Sequence, residues 1–170
     1  MQFKVLTLVT SFLAASSVQA AAVPPTPLSS ITQLTTQTNA LTSTVNQLST
    51  NNLFTTLSGI LGAVGQLISS IGTGTNTFNN ASPTQLNQDE LCAAIGGFTT
   101  AQTGLLNSIN AKLGLISGSL FGLPITALLA VLDGVLGSLG TSLASQVPAC
   151  SDTTTTSFNR LDFVHLKKTT

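Results

Sequence analysis

The stretch Pro124-Ile125-Thr126-Ala127-Leu128-Leu129-Ala130-Val131-Leu132-Asp133-Gly134-Val135-Leu136-Gly137-Ser138-Leu139 decides the fold. With Leu143 and Val147 beyond it, apolar side chains fall on nearly every turn of a helix that Pro124 opens and Pro148 closes. Such a run is either a membrane span or the central helix of a bundle. Asp133 at mid-span would cost about 2.5 to 3.5 kcal/mol in a bilayer, and glycines at 134, 137 and 140 add to that cost. The run therefore reads as a bundle helix, and the chain is not expected to be an integral membrane protein.

The preceding sequence supplies its partners. Leu28, Ile31, Leu34, Leu41, Val45 and Leu48 recur at spacings of three, four and seven among Ser, Thr, Gln and Asn, which predicts an amphipathic helix. Its many threonines lower helix propensity, so it needs packing to hold its shape. Leu53, Phe54, Leu57, Ile60, Leu61, Val64, Leu67, Ile68 and Ile71 predict a second helix with a wider apolar face, ended by Gly72-Thr73-Gly74-Thr75-Asn76. For a third, Ser82 reads as N-cap, Pro83 as first turn and Gln85 as the capping-box partner, which leaves Asp89 and Glu90 in the second turn. Leu91, Ile95, Phe98, Leu105, Leu106, Ile109 and Leu113 follow in a core rhythm, with Cys92 at its edge. Gly114, Gly118 and Gly122 then break the pattern and leave Leu120 and Phe121 in a connection, expected to plug the bundle end or else to present an apolar tip. The fold class expected is all-α, an antiparallel bundle of four to five helices.

Lys4, the apolar run at residues 5–15 and small residues at Val18 and Ala20 predict a signal peptide over residues 1–20 and hence a secreted product, extracellular or in a cell wall. Residues 21–150 read as the bundle domain and 151–170 as a polar tail whose composition permits disorder. The chain has two cysteines, Cys92 and Cys150; in an exported protein they are expected to form a disulfide. Two sulfurs with His165 in reserve fall short of a four-ligand metal site, and no metal or cofactor is expected.

Charged residues make up 6% of the chain and the net charge is zero, against about 25% charged in ordinary domains. Between residues 21 and 151 the charges are Asp89, Glu90, Lys112 and Asp133. One lysine cannot neutralise a run of phosphates, which excludes nucleic acid as partner. The abundant Ser and Thr are either plain polar surface or acceptors for O-linked sugar, and Asn80-Ala81-Ser82 is a sequon for N-glycosylation that Pro83 disfavours.

Little here supports catalysis. No His or Tyr lies in the body of the chain, Asp89 and Glu90 would point about 100° apart on a helix, and no nucleophile elbow surrounds any serine. No catalytic residue is assigned, and the chain is not expected to be an enzyme. Scattered glycines at 59, 62, 65, 96, 97, 104, 134, 137 and 140 make no phosphate loop. They are expected to let helices approach closely, the alternative being space around a cavity.

Leu91-Cys92-Ala93-Ala94-Ile95-Gly96-Gly97-Phe98, then Leu105-Leu106-Asn107, Lys112-Leu113-Gly114-Leu115 and Leu120-Phe121-Gly122-Leu123-Pro124, resemble the fungal hydrophobic surface-binding protein A family, which is related to cell-wall galactomannoproteins. The resemblance extends in pattern over residues 28–147 and is most specific at 91–139. It implies a secreted helical bundle that adsorbs to hydrophobic surfaces and assists extracellular polymer-degrading hydrolases, with relatives that hold fatty acids internally. The chain departs from the family after Ser151, where a last amphipathic helix is usual and four threonines, Asn159-Arg160 and Lys167-Lys168 stand instead.

Four helices cannot hide this much apolar side chain among themselves. The function expected is binding of lipids such as fatty acids, or of hydrophobic surfaces. The contacts expected are Leu53, Phe54, Leu57, Ile60, Leu61, Val64, Ile68, Phe98, Leu120, Phe121, Ile125, Leu128, Leu129 and Leu132. The alternatives are a structural glycosylated wall mannoprotein and a small secreted effector.

Overall fold

A computed structural model describes residues 26–82 and 87–159; the expected signal peptide at 1–20, Pro83, Gln85 and residues 160–170 lie outside the described residues. The elements are α1 (Pro27–Asn46), α2 (Leu53–Asn79), α3 (Gln88–Ser117), α4 (Gly122–Gln146), a 3-10 turn at Pro148–Cys150 and α5 (Ser151–Asn159). The fold is the all-α bundle that the periodicity predicts, with five helices.

Each long helix buries one heptad stripe. In α2 it is Leu57, Ile60, Val64, Leu67, Ile71, Gly74 and Phe78; in α4 it is Ile125, Leu129, Leu132, Leu136, Leu139 and Leu143. Alternating steps of three and four keep one face on the core, as in left-handed bundles. Both helices are long and apolar enough to cross a membrane by length and composition, and here their stripes lie in a shared core.

α1 begins with a capping box: the Thr26 hydroxyl accepts from the Ser29 amide at 3.1 Å, and the Ser29 hydroxyl accepts from the Thr26 amide at 2.9 Å. Its threonines turn their hydroxyls back on the helix, Thr32 donating to the Leu28 carbonyl at 2.9 Å and Thr36 to that of Thr32 at 3.0 Å. Each such hydroxyl gains a partner without leaving the helix.

Two polar contacts fix how α3 lies on α1. Gln102 Nε2 donates to Thr38 Oγ1 at 3.1 Å in the core, and Lys112 Nζ donates to the Leu48 carbonyl at 2.9 Å. Both span 64 residues, so the two helices run parallel in one register. α2 runs back antiparallel to α1, bringing Gly74 to Leu34, and α4 lies along α2. α3 and α4, although joined by a short turn, barely touch. Their far ends are tied by the Cys92–Cys150 disulfide, with Cα atoms 5.9 Å apart, and by Gln88 Nε2 donating to the Gln146 carbonyl at 3.3 Å.

Several boundaries differ from the sequence expectation. α2 runs through Gly72-Thr73-Gly74-Thr75-Asn76 to Asn79, because Phe78 continues the stripe and is fully buried. α3 starts at Gln88, not at Ser82: Asn87 is the N-cap, accepting from the Glu90 amide at 3.4 Å. Asp89 and Glu90 thus lie in the first turn, where the helix dipole favours them. α3 also passes through Gly114, and α4 starts at Gly122, two residues before Pro124.

Ser151–Asn159, read as the start of a polar tail, form α5. Thr154 and Phe158 point inward at a four-residue spacing, and the Phe158 ring lies 6.1 Å from that of Phe98. Phe158 sits against Gly140, where an added Cβ would come 2.9 Å from its Cγ. Gly140 is thus a position where close approach needs a glycine. At Gly59, Gly62, Gly65, Gly96, Gly97, Gly104, Gly134 and Gly137 an added Cβ would meet nothing within 4 Å, which overturns the close-packing expectation for them.

Gly62→Ala and Gly137→Ala are therefore expected to raise stability by about 0.4 to 1 kcal/mol each, whereas Gly140→Ala should lower it by about 1 to 3 kcal/mol through displacement of Phe158. Thermal unfolding followed by circular dichroism compares the three. Replacing both cysteines by serine opens a loop of 58 residues, and the loss expected in denaturant titration is about 4 kcal/mol.

Candidate apolar binding site

The loop after α1 and the turn between α3 and α4 meet at one end of the bundle. Asn52 organises the loop: its Oδ1 accepts from the Ser49 amide at 2.8 Å and the Ser49 hydroxyl at 3.0 Å, while its Nδ2 donates to the Gln47 carbonyl at 2.9 Å. Leu48 is buried beneath it.

The α3–α4 turn is tighter than its sequence suggests. Ser119 Oγ donates to the Ile116 carbonyl at 2.7 Å and accepts from the Phe121 amide at 3.2 Å. A Cβ on Gly122 would come 3.0 Å from the Ile116 carbonyl oxygen, so the two helix ends need glycine there to close. This geometry throws Leu120 outward at 94% exposure, which corrects the expected plug. Phe121 stays half-buried and meets Phe54 edge to face, ring centroids 5.1 Å apart.

Between loop and turn lies a solvent-open cleft of about 480 Å³ whose walls include Thr50, Asn52, Leu53, Phe54, Leu120 and Phe121. Phe54 is 71% exposed, and Leu123, in the first turn of α4, is 84% exposed. The three most exposed large apolar side chains are thus found here, while Leu28 and Val131 are exposed singly elsewhere. The cleft offers rings, aliphatic chains, hydroxyls and amides, a set suited to holding an apolar body rather than to moving protons. Among the described residues no group of three or more His, Cys, Asp or Glu lies together as a metal site would require.

The residues expected as contacts separate into three groups. Leu57, Ile60, Val64, Phe98, Ile125, Leu129 and Leu132 are sealed in the core. Leu53, Leu61, Ile68, Phe121 and Leu128 are half-buried around it, and Phe54 and Leu120 are open to solvent. Leu123, Thr50 and Asn52 were not anticipated. Asn52 carried a signal, since an Asn directly before an apolar run is a turn and cap residue. Asn80, in the sequon, is exposed at the C-cap of α2.

No family model matches the chain, and no curated protein sequence does. The fold is similar to the crystal structure of Afmp4p in complex with palmitic acid, with a TM-score of 0.67 and 18% identity, covering 82% of this chain and 96% of that one.

Asn52→Ala, which removes three hydrogen bonds of a half-buried amide, is expected to cost about 1 to 3 kcal/mol, whereas Leu120→Ser should stay within about 0.5 kcal/mol. Chemical denaturation of the two variants checks this contrast.

Proposed function

We propose that this protein is a secreted, non-catalytic binder of lipids and hydrophobic surfaces, and that the bundle end built around Phe54, Leu120, Phe121 and Leu123 is where it binds. The observation that carries the reading is the gathering of those four exposed or half-exposed apolar side chains at the bundle end that holds the open cleft, whereas the other exposed large hydrophobics, Leu28 and Val131, stand singly. Surface leucines scattered singly need no explanation, but a cluster at one end marks an interaction site. The similarity in fold to Afmp4p, a protein crystallised with palmitic acid, supports a fatty acyl chain as ligand.

An acyl chain laid on Phe54 and Phe121 gains by removing both ring and chain from water, at about 25 cal/mol per Å² of apolar surface. The cleft volume lies within the roughly 300 to 1,000 Å³ usual for small-ligand sites. The same patch, with Leu120 and Leu123 almost wholly exposed, also suits adsorption to a flat apolar surface. Secretion through residues 1–20 belongs to this reading, since apolar surfaces and free lipid are what an exported protein of this kind meets.

The chain has no Trp and no Tyr, so a fluorescent fatty acid can be titrated without interference from those side chains. Saturable uptake is expected, weakened by roughly tenfold in Phe54→Asp, where a charge replaces a phenyl contact. Leu120→Asp is expected to cut adsorption to polystyrene beads with no change in melting temperature. A protein that neither takes up the probe nor leaves solution with the beads would overturn the proposal.

A further inference from the structure

A second cavity, of about 190 Å³, lies between α1 and α2, and its walls include Ser30, Gln33 and Leu34 from α1 and Ser70, Thr73 and Gly74 from α2. It stands toward the end of the bundle away from the apolar cleft: Ser30 precedes the last residue of α1, Asn46, by 16 positions, roughly 24 Å along the helix axis. Elsewhere on α1 the hydroxyls of Thr32, Thr35, Thr36 and Thr42 turn back on their own helix. The polar groups of this cavity do not. Ser30 is only 7% exposed, yet its hydroxyl makes no hydrogen bond with any described residue, and neither does the side chain of Gln33 or Ser70. The Thr73 hydroxyl donates to the Ser69 carbonyl at 3.2 Å, which leaves its oxygen free to accept.

A hydroxyl held nine-tenths out of water without a partner is a cost that a bound hydrogen-bonding group removes. Water can reach the hydroxyls, but Leu34 and the bare backbone of Gly74 between them give it nothing to bond. No wall residue carries a charge, so an anion or a cation would find no counter-charge here. Hydroxyls and an amide offer donors and acceptors together, around an apolar strip. The volume is that of roughly six waters at about 30 Å³ each, below the roughly 300 to 1,000 Å³ of larger ligand sites, and one sugar ring fills it. A pyranose has the complementary make-up, with hydroxyls around its rim and C–H groups on its face. We infer that this cavity binds a single neutral pyranose unit, its hydroxyls paired with Ser30, Gln33 and Ser70 and its C–H face laid on Leu34 and Gly74. The inference is independent of the lipid-binding reading and uses a different part of the molecule.

The test uses the full chain, isotopically labelled, with amide shifts followed by NMR. Methyl α-glucopyranoside, methyl α-mannopyranoside and methyl α-galactopyranoside are added in turn, with sorbitol, an open-chain polyol, as control. At least one glycoside is expected to give saturable shifts around Ser30, Ser70 and Gly74, with a Kd of the order of 1 mM, and sorbitol none. Ser30→Ala should weaken binding about three- to tenfold while the melting temperature stays or rises, because it deletes a hydroxyl that has no partner in the free protein. A Cβ at Gly74 would stand 3.6 Å from Leu34 Cδ1 and 3.8 Å from Ser30 Cβ, ordinary contacts, so Gly74→Ala fits the fold and narrows the cavity. It should abolish saturable binding in a protein that still melts cooperatively. Phe54→Asp should leave the glycoside affinity unchanged.

Shifts that grow without saturation, or that sorbitol reproduces, would overturn the proposal, as would an affinity unchanged by Ser30→Ala or by Gly74→Ala. Sedimentation with an insoluble polysaccharide built of the unit that binds, reversed by the free glycoside, would assign the site to a sugar borne on a polymer. Saturable binding of the free glycoside without sedimentation would assign it to the free sugar. Both outcomes support a pyranose site.

Discussion

A bundle almost without charge must find its register by other means than salt bridges, and here one polar layer does it. Thr38 and Gln102 occupy stripe positions on α1 and α3 that are otherwise filled by Leu, Ile and Phe, and both are fully buried. Sliding α3 by a heptad would still match apolar residue to apolar residue. It would, however, strand the Gln102 Nε2 donor as well as the Oε1, which already lacks a partner, a penalty of about 1 to 3 kcal/mol for an unpaired buried group. The Thr38 hydroxyl donates to the Leu34 carbonyl at 2.8 Å and so must accept from Gln102, which fixes the orientation of that amide. A single polar pair in an apolar seam is a known way to set register at some cost in stability.

With α3 locked on α1 and α4 laid on α2, the remaining seam between α3 and α4 is held at its ends and not along its length. The Ser119 turn closes one end, and the disulfide with the Gln88–Gln146 hydrogen bond closes the other. Near the second end α5 folds back and inserts Phe158 between Phe98 and Gly140, doing with one ring what a full-length helix contact would otherwise do. Much of the stability of the seam therefore depends on residues close to the covalent link. This explains why an otherwise polar nine-residue helix is ordered at all: alone it is too short to persist, and its packing on α4 supplies what propensity does not.

Periodicity made the four long helices legible, because a heptad stripe is a local property that tertiary context rarely overturns. The disulfide was legible by arithmetic, two cysteines in a chain whose first twenty residues read as an export signal. What escaped was set by packing that no local pattern encodes. Gly72 and Gly74 look like a helix end until Phe78 is seen to complete the α2 stripe. Ser82-Pro83 is a good start signal, but Asn87 provides the cap next to the carboxylates. The outward direction of Gly59 and Gly62 was readable, since neither falls on the 57-60-64-67 stripe. So was α5, where Thr154 and Phe158 stand four apart. The exposure of Leu120 was not readable, because it depends on Ser119 closing the turn so tightly that the apex side chain has nowhere inward to go. For the site, the sequence named Phe54, Leu120 and Phe121 correctly as apolar and adjacent to breaks, but only the meeting of two connections places them side by side.

The most exposed large apolar side chains, Phe54, Leu120 and Leu123, gather at one end of the molecule. Its sides are covered with hydroxyls that are largely satisfied by their own helix, as Thr42 donates to the Thr38 carbonyl at 2.8 Å and Thr126 to that of Gly122 at 2.7 Å. Such a surface holds water without strong fields and has little to offer a charged partner. The carboxylates Asp89 and Glu90 stand at the disulfide end, next to the start of α3, while Phe54, Leu120 and Leu123 stand at the other.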